Sequence, residues 1–588
     1  MTPASSPAPY DASDLAGRLT PAFALRRALA TGYGAADLRQ DLLAGAVVGV
    51  VALPLSMALA IACGVPPQHG LYTAIIGGLV IALLGGSRVQ VSGPTAAFVA
   101  ILAPIAARYG IAGLALASAM AGVILICLAL ARLGRLIEFV PNPVTAGFTA
   151  GIAVVIATLQ LPDFLGLHTG PLPVEFSEKI GVIFGALATT ALPSFGLGLG
   201  TLAILVFWPR VPGIGKRLPG PLVALIVATV AALLWTRLVP GVGFDTIASR
   251  FSYLGLDGLS HPGIPQLPPL PLLPWTLPGP GGEPLVFSFG LVRELLPSAF
   301  AIAMLGAIES LLSAVVADGM TRHRHDPNAE LFGQGVGNLV APFFGGFAAT
   351  GAIARTATNV RAGARSPIAA VFHALVVLAA VMVLAPVLGH LPMAALAALL
   401  LHTAGRMSEA KHVLRTLRRA PRSDVLVLLV CFGLTVAFDM VVAVSVGMVL
   451  ASFLFMRRMA EVSTLTLVDQ PDRTAAGSLP PGVLLYQIAG PLFFGAAQRA
   501  MSALQRVAPG VETVVLDLRA APAIDETGLV ALESTTDALA DRGIFVILAG
   551  VPDQPFRALI KAGWRHRRHE IALFRSFEEG LERARRLA

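Results

Sequence analysis

The sequence predicts a multispan α-helical membrane protein: about fourteen helices in a seven-plus-seven inverted repeat with two half-helices, followed by a small α/β domain. Three observations predict it. Of 588 residues, 55% are hydrophobic and only 13% charged, and the mean hydropathy is +0.77; soluble domains carry about a quarter charged residues. Apolar stretches recur at lengths near the roughly twenty residues that a bilayer core demands. Finally, "GGSRVQVSGPTAAFVA" (85–100) and "GGFAATGAIARTATNV" (345–360) interrupt the apolar sequence in the same way. Each has a glycine pair, a short extended piece, then a glycine opening a new helix.

Residues 1–40 are rich in Pro, Ser and Ala and carry Arg26, Arg27 and Arg39 before the first apolar span. They read as a cytoplasmic tail, not a secretory signal. Helices are expected near 41–63, 70–84, 94–107, 111–131, 142–160, 195–208, 220–238, 294–318, 329–343, 352–362, 367–388, 392–404, 423–438 and 440–456. Several are too short to cross a core about 30 Å thick, and the amphipathic stretch 176–192 reads as a surface helix. With the N-terminus inside, cytoplasmic loops hold Arg132, Arg135, Arg210, Lys216, Arg217, Arg322, Arg324, Arg361 and Arg365. The most basic of them is "GRMSEAKHVLRTLRRAPR" (405–422), whereas the Pro-rich segment 239–290 opposite has few Lys or Arg. That is the positive-inside pattern. It accounts for the net charge of +8 without nucleic acid. Cys63, Cys127 and Cys431 sit in or beside apolar spans and show no disulfide or metal-ligand spacing.

Composition changes after Arg458. Residues 459–479 read as a linker and 480–588 as a cytoplasmic domain. "GVLLYQIAG", "TVVLDLRA" and "IFVILAG" are expected strands; "LVALESTTDALADR" and "FEEGLERARRLA" are expected helices.

An unpaired backbone polar group in lipid costs several kcal/mol, so non-helical backbone there must be covered by protein or line a polar cavity. "RVQVS" and "GFAAT" are therefore expected to be short extended pieces that pair at mid-membrane. Pro94 suits a first helical turn. Ser92 or Gly93 is the expected cap of the first half-helix, and Thr350 or Gly351 of the second. The preceding helices also correspond, "GLYTAIIGGLVIALLGG" with "AELFGQGVGNLVAPFFGG". The breaks thus fall at the third and tenth helices, an odd offset that inverts the second repeat. Glycine pairs also serve close helix packing; the matched register and capping chemistry favour a site.

A helix N-terminus presents roughly half an elementary charge and free N–H donors. Two such ends plus Arg355 give roughly +2, which favours an anion, best a dianion. Glu309, deep in the eighth helix, marks a pathway or proton relay, the alternative being a strut that pairs with Arg355. Proton and dianion would enter together, protonated Glu309 being the form that tolerates the second negative charge. Asp439 is expected in an outer turn and Asp318 at a solvated helix end. "RHRHDP" (322–327) reads as a basic loop, not a metal site. No metal, cofactor or enzyme activity is implied.

"GLYTAIIGGLVIALLGGSRVQVSGPTAAF", with "GRLIEFVP", "AMLGAIESLLSAVVADGMT" and "AIARTATNVRAGA", resembles the SulP sulfate-permease family of anion transporters. "VVLDLRAAPAIDETGLVAL" resembles a STAS domain. The resemblance runs from about Asp41 onward and looks closest to the family's bacterial C4-dicarboxylate transporters. It implies a transporter domain at 41–458, with core helices 1–4 and 8–11 moving against gate helices 5–7 and 12–14, in a homodimer of the bacterial inner membrane. It places the anion among Leu55, Ser56, Met57, Gly93, Pro94, Thr95, Ala354 and Arg355, with Glu309 for proton coupling. Relatives carry a polar or acidic residue at Leu55 and an aromatic at Thr95, which leaves substrate size and coupling ion open. In regulatory STAS relatives a hydroxyl at the position of Thr527 is phosphorylated; here a capping segment of Asp525 and Thr527 is the plainer expectation. The STAS domain is expected to dock an unidentified cytoplasmic partner. The sequence thus predicts proton-coupled uptake of C4-dicarboxylates such as succinate, fumarate or aspartate. Sulfate or bicarbonate transport is the runner-up, and an anion sensor or scaffold is the alternative of another class.

Overall fold

Proline and glycine set the helix boundaries of the membrane unit. The computed structural model describes residues 20–587 except 138–139, 171–172, 174, 214, 216–217, 256, 439, 463, 468–478, 494–509 and 565–570. Lys216, Arg217 and Asp439, named above, lie outside the described residues. Eight of the described helices are long and apolar enough to cross a membrane.

The first repeat contains α1 (Ala35–Ala62), α2 (Pro67–Leu84), strand β1 (Ser92–Gly93), α3 (Ala96–Leu130), α4 (Asn142–Leu165), α5 (Leu192–Phe207) and α6 (Gly220–Leu238). The second contains α7 (Phe289–Thr321), α8 (Pro327–Val340), β2 (Thr350–Gly351), α9 (Ile353–Arg361), α10 (Ile368–Leu388) and α11 (Met393–Met407). It continues with α12 (Ala410–Arg419), α13 (Arg422–Ala437) and α14 (Met440–Val462). The predicted third and fourth helices form one run, α3, bent at Gly110 with φ +66° and ψ −170°. Only glycine adopts that geometry cheaply, and a Cβ there would lie 2.6 Å from the Gly279 carbonyl carbon. The predicted surface stretch forms the short helix Phe176–Gly185.

Small residues let the helices close. A Cβ on Gly45 of α1 would meet the Ala369 carbonyl oxygen of α10 at 2.4 Å, and one on Gly147 of α4 would meet the Leu428 carbonyl oxygen of α13 at 2.6 Å. Backbone-to-backbone approach of this kind is how membrane helices associate, since lipid supplies no hydrophobic drive between them.

The C-terminal unit is a five-stranded sheet in the order β3 (Thr464–Leu467), β4 (Val483–Ala489), β5 (Thr513–Asp517), β6 (Phe545–Ala549), β7 (Ile571–Leu573). β3 is the antiparallel edge and the other neighbours are parallel. β3 lies inside the predicted linker, so the folded unit begins earlier than the composition implied. Helices α15 (Glu526–Ala540), α16 (Asp553–Lys561) and α17 (Phe577–Leu587) cover the sheet. Val514, Leu516, Val546 and Leu548 pack with Leu532 and Leu539, and Val515 and Ile547 pack with Phe577 and Leu581. Burial on both faces explains why these strands read as unbroken apolar runs.

Candidate functional site

The two breaks meet. β1 and β2 pair antiparallel, with Ser92 opposite Gly351 and Gly93 opposite Thr350. Neighbouring side chains and backbone also pair with the polar backbone flanking the strands, as non-helical chain in a membrane requires. The Ala352 amide donates to the Val91 carbonyl at 3.0 Å, the Val91 amide to the Thr356 hydroxyl at 3.1 Å, and Asn359 Nδ2 to the Val89 carbonyl at 2.8 Å. The Phe347 amide donates to Thr73 Oγ1 at 2.8 Å. Thr73 opens a π-helical turn, Thr73–Gly77, within α2, the sort of irregularity that gathers at functional sites.

Behind the strands, α8 presents Glu330, Gln334 and Asn338, four residues apart and so on one helix face. The Glu330 carboxylate is 1% exposed. It accepts hydrogen bonds from the Gly86 and Ser87 amides at 3.0 and 3.2 Å and from Gln90, Ser310 and Gln334 side chains at 2.7, 2.8 and 3.2 Å. Gln334 also donates to Ser92 Oγ at 3.2 Å. Asn338 clamps Ala349 through its carbonyl and amide at 2.9 and 2.7 Å. The three side chains splint both breaks against one helix. Sequence reading missed them; the spacing 330/334/338 in an otherwise apolar, glycine-rich helix is the signal that could have found them. It also passed over His373, fully buried in α10 with neither ring nitrogen hydrogen-bonded.

The half-helices start later than predicted. The N-cap residues are Thr95 and Ala352, both extended, and neither end has a side-chain cap. Ser92, Gly93, Thr350 and Gly351 are consumed by the strand pair, and Pro94 precedes the helix instead of occupying its first turn. Thr95 turns its hydroxyl to Glu309 Oε2 at 2.8 Å. First-turn amides of a helix have no intrahelical acceptor, so two uncapped ends offer donors to an anion.

Arg355 stands in the first turn of α9 and is 2% exposed. Its Nη2 donates to the Pro94 carbonyl at 3.0 Å and to Ser56 Oγ at 3.3 Å. Its Nε and Nη1 have no protein partner. Of the predicted site, Ser56, Pro94 and Arg355 are joined by hydrogen bonds, Gly93 backs onto Nη1, and Thr95 bonds Glu309. Leu55 is half-buried, Met57 is wholly buried and Ala354 is exposed. Successive residues on a helix point about 100° apart, so Leu55 and Met57 do not share the direction of Ser56. Glu309 is half-buried in α7, and among the described residues no nitrogen–oxygen contact within 4.0 Å joins it to Arg355. The strut is not formed in this structure. Asp318 is not a solvated end: α7 runs on to Thr321, and Asp318 accepts from the His325 amide at 3.1 Å and from its Nδ1 at 2.7 Å. In the C-terminal unit Asp525 caps α15 by accepting from the Gly528 amide at 2.7 Å. Thr527 is exposed and takes no part in the cap.

The sequence pattern of the sulfate permease family matches residues 38–431, and that of the STAS domain matches 478–579. YvdB of Bacillus subtilis, provisionally named a sulfate transporter, is 39% identical over 91% of this chain and 96% of its own length. The bicarbonate transporter BicA of Picosynechococcus is 30% identical over 93% and 95%. Murine solute carrier 26 family member A9, solved in the inward-facing state, superposes with a TM-score of 0.81 over 99% of this chain and 96% of that one, at 18% identity.

Proposed function

The chain belongs to the sulfate permease family and is an anion transporter of that family, not an enzyme; we propose that it carries a compact oxyanion, sulfate first, by alternating access. One observation carries this reading: the Arg355 guanidinium lies between two uncapped half-helix ends with Nε and Nη1 free of protein partners. A planar cation with spare donors, beside further free amides, suits a tetrahedral dianion. The names of YvdB and BicA support sulfate and bicarbonate respectively. C4-dicarboxylates such as succinate, fumarate or aspartate are the second reading, supported by the motif style of the membrane helices. Ser56, Gly93, Pro94 and Thr95 complete the proposed site around Arg355; Leu55, Met57 and Ala354 are proposed to shape its surroundings. Glu309, hydrogen-bonded to Thr95 beside that site, is the proposed proton-coupling acid. The family resemblance further supports a homodimer in the bacterial inner membrane with a cytoplasmic STAS domain. There Thr527 is a proposed phosphorylation position, and an unidentified partner docks. A sensor or scaffold would not need both half-helices and a half-buried intramembrane acid intact.

The test is counterflow in proteoliposomes loaded with each anion in turn. Labelled sulfate should exchange fastest. Preferential succinate exchange would reinstate the dicarboxylate reading, and no exchange with any of the three would sink the transport mechanism.

A further inference from the structure

Helix α12, between α11 and α13, has no buried residue. Its apolar and basic side chains nonetheless segregate. At 100° per residue, Ala410, Val413, Leu414 and Leu417 fall on one face, while Lys411, Arg415, Arg418 and Arg419 fall on the other. Leu414 is 48% and Leu417 37% exposed. A ten-residue helix whose leucine face is only partly covered by protein is marginal in water, because short isolated helices do not hold themselves together.

Its place in the chain limits what can cover that face. α12 follows the apolar helix α11 across a turn at Glu409, with φ +40°, and Pro421 starts the apolar helix α13 immediately after it. α13 itself exposes Leu426 and Leu429 at 48% and 50%, the outward surface of a lipid-facing helix. A segment tied at both ends to such helices lies at the level where they leave the hydrocarbon.

We propose that α12 is a lipid-binding element: its leucine face enters the headgroup–acyl boundary and its basic face holds anionic headgroups. Complementary charge selects an anionic over a zwitterionic surface. Each basic side chain near an anionic surface shifts the partition about fivefold, an effect confined to roughly a Debye length. No carboxylate interrupts 410–419 to offset those charges.

The test uses the full chain. Leu414→Cys is labelled with an environment-sensitive fluorophore in a Cys127→Ser background, since Cys127 is exposed while Cys63 and Cys431 are buried. The protein is reconstituted into acyl-brominated vesicles of phosphatidylcholine alone or with phosphatidylglycerol. Emission should be blue-shifted and bromine-quenched when phosphatidylglycerol is present. High salt should weaken that response, and the combined variant Lys411→Gln, Arg415→Gln, Arg418→Gln, Arg419→Gln should abolish it. These side chains are solvent-facing, so the variant retains its fold, which an unchanged melting temperature verifies. Water-like emission in both vesicles overturns the proposal. So does equal quenching in both, and so does blue-shifted emission without quenching, which would mean that protein covers the face.

Discussion

Gly93 of β1 and Arg355 of α9 are in contact: a Cβ built on Gly93 would lie 2.5 Å from Arg355 Nη1. The obstructed atom ends a flexible side chain, so Gly93→Ala leaves the fold intact and pushes the guanidinium aside. A displacement near 1 Å costs up to about a hundredfold in transport efficiency. Initial-rate uptake should fall by roughly ten- to a hundredfold, with the melting temperature of the purified protein almost unchanged.

Arg355→Lys should fail nearly as badly as Arg355→Ala. Nη2 already serves Pro94 and Ser56 while Nε and Nη1 remain available. An ammonium cannot hold that fork and present a planar pair of donors together. Losing a charge-assisted hydrogen bond costs about 1.5–3 kcal/mol, or roughly ten- to a hundredfold in affinity. Anion binding by calorimetry is the check, and near-native affinity in Arg355→Lys would remove the fork from the account.

Glu309→Gln keeps a hydrogen-bonding partner for Thr95 but no longer exchanges a proton. Counterflow of the substrate should persist, whereas accumulation driven by an imposed pH gradient should vanish. Intact pH-driven accumulation would assign the coupling elsewhere.

Glu330→Gln places an amide NH2 among five donors that now converge on a carboxylate. The amide leaves at least one buried donor without an acceptor, which costs about 1–3 kcal/mol. A clear drop in melting temperature is expected, larger than for Gly93→Ala, together with loss of uptake.

Outside the membrane helices, Asp257 sits in the hairpin 252–262. The Leu259 amide, then His261, hold its carboxyl below the usual carboxylate range. A depressed acid stabilises the hairpin fully above its unfolded pKa of about 4 and loses that contribution as pH falls through the lowered value. The protection of backbone amides across 252–262, relative to their unstructured exchange rates at the same pH, should therefore fall only in acid, and Asp257→Asn should remove that acid dependence.

Much of this was legible in the sequence because lipid leaves the chain few options. Residues 92–93 and 350–351 cannot stay unpaired in a membrane, and they do pair. The apolar stretches located most helices to within a few residues, although α1 and α7 begin earlier than expected, at Ala35 and Phe289, and the predicted third and fourth helices form one run. The caps were misread because pairing and capping compete for the same short segment: Ser92 and Thr350 serve the strands, and the starts shift to Thr95 and Ala352. Glu330 escaped notice because its partners lie as far as 244 positions away, and no local pattern announces them. β3 was hidden in the linker because four residues of edge strand carry too little periodicity to stand out.

The strand pair also imposes an order on biosynthesis. Val91 finds its acceptor on Thr356, 265 positions later, and Pro94 meets Arg355 across 261. When the first half leaves the ribosome, its break has no mate and its polar backbone cannot face acyl chains. The early helices must therefore wait in a hydrated enclosure, within the insertion machinery or beneath a chaperone, until the second half arrives to close the seam.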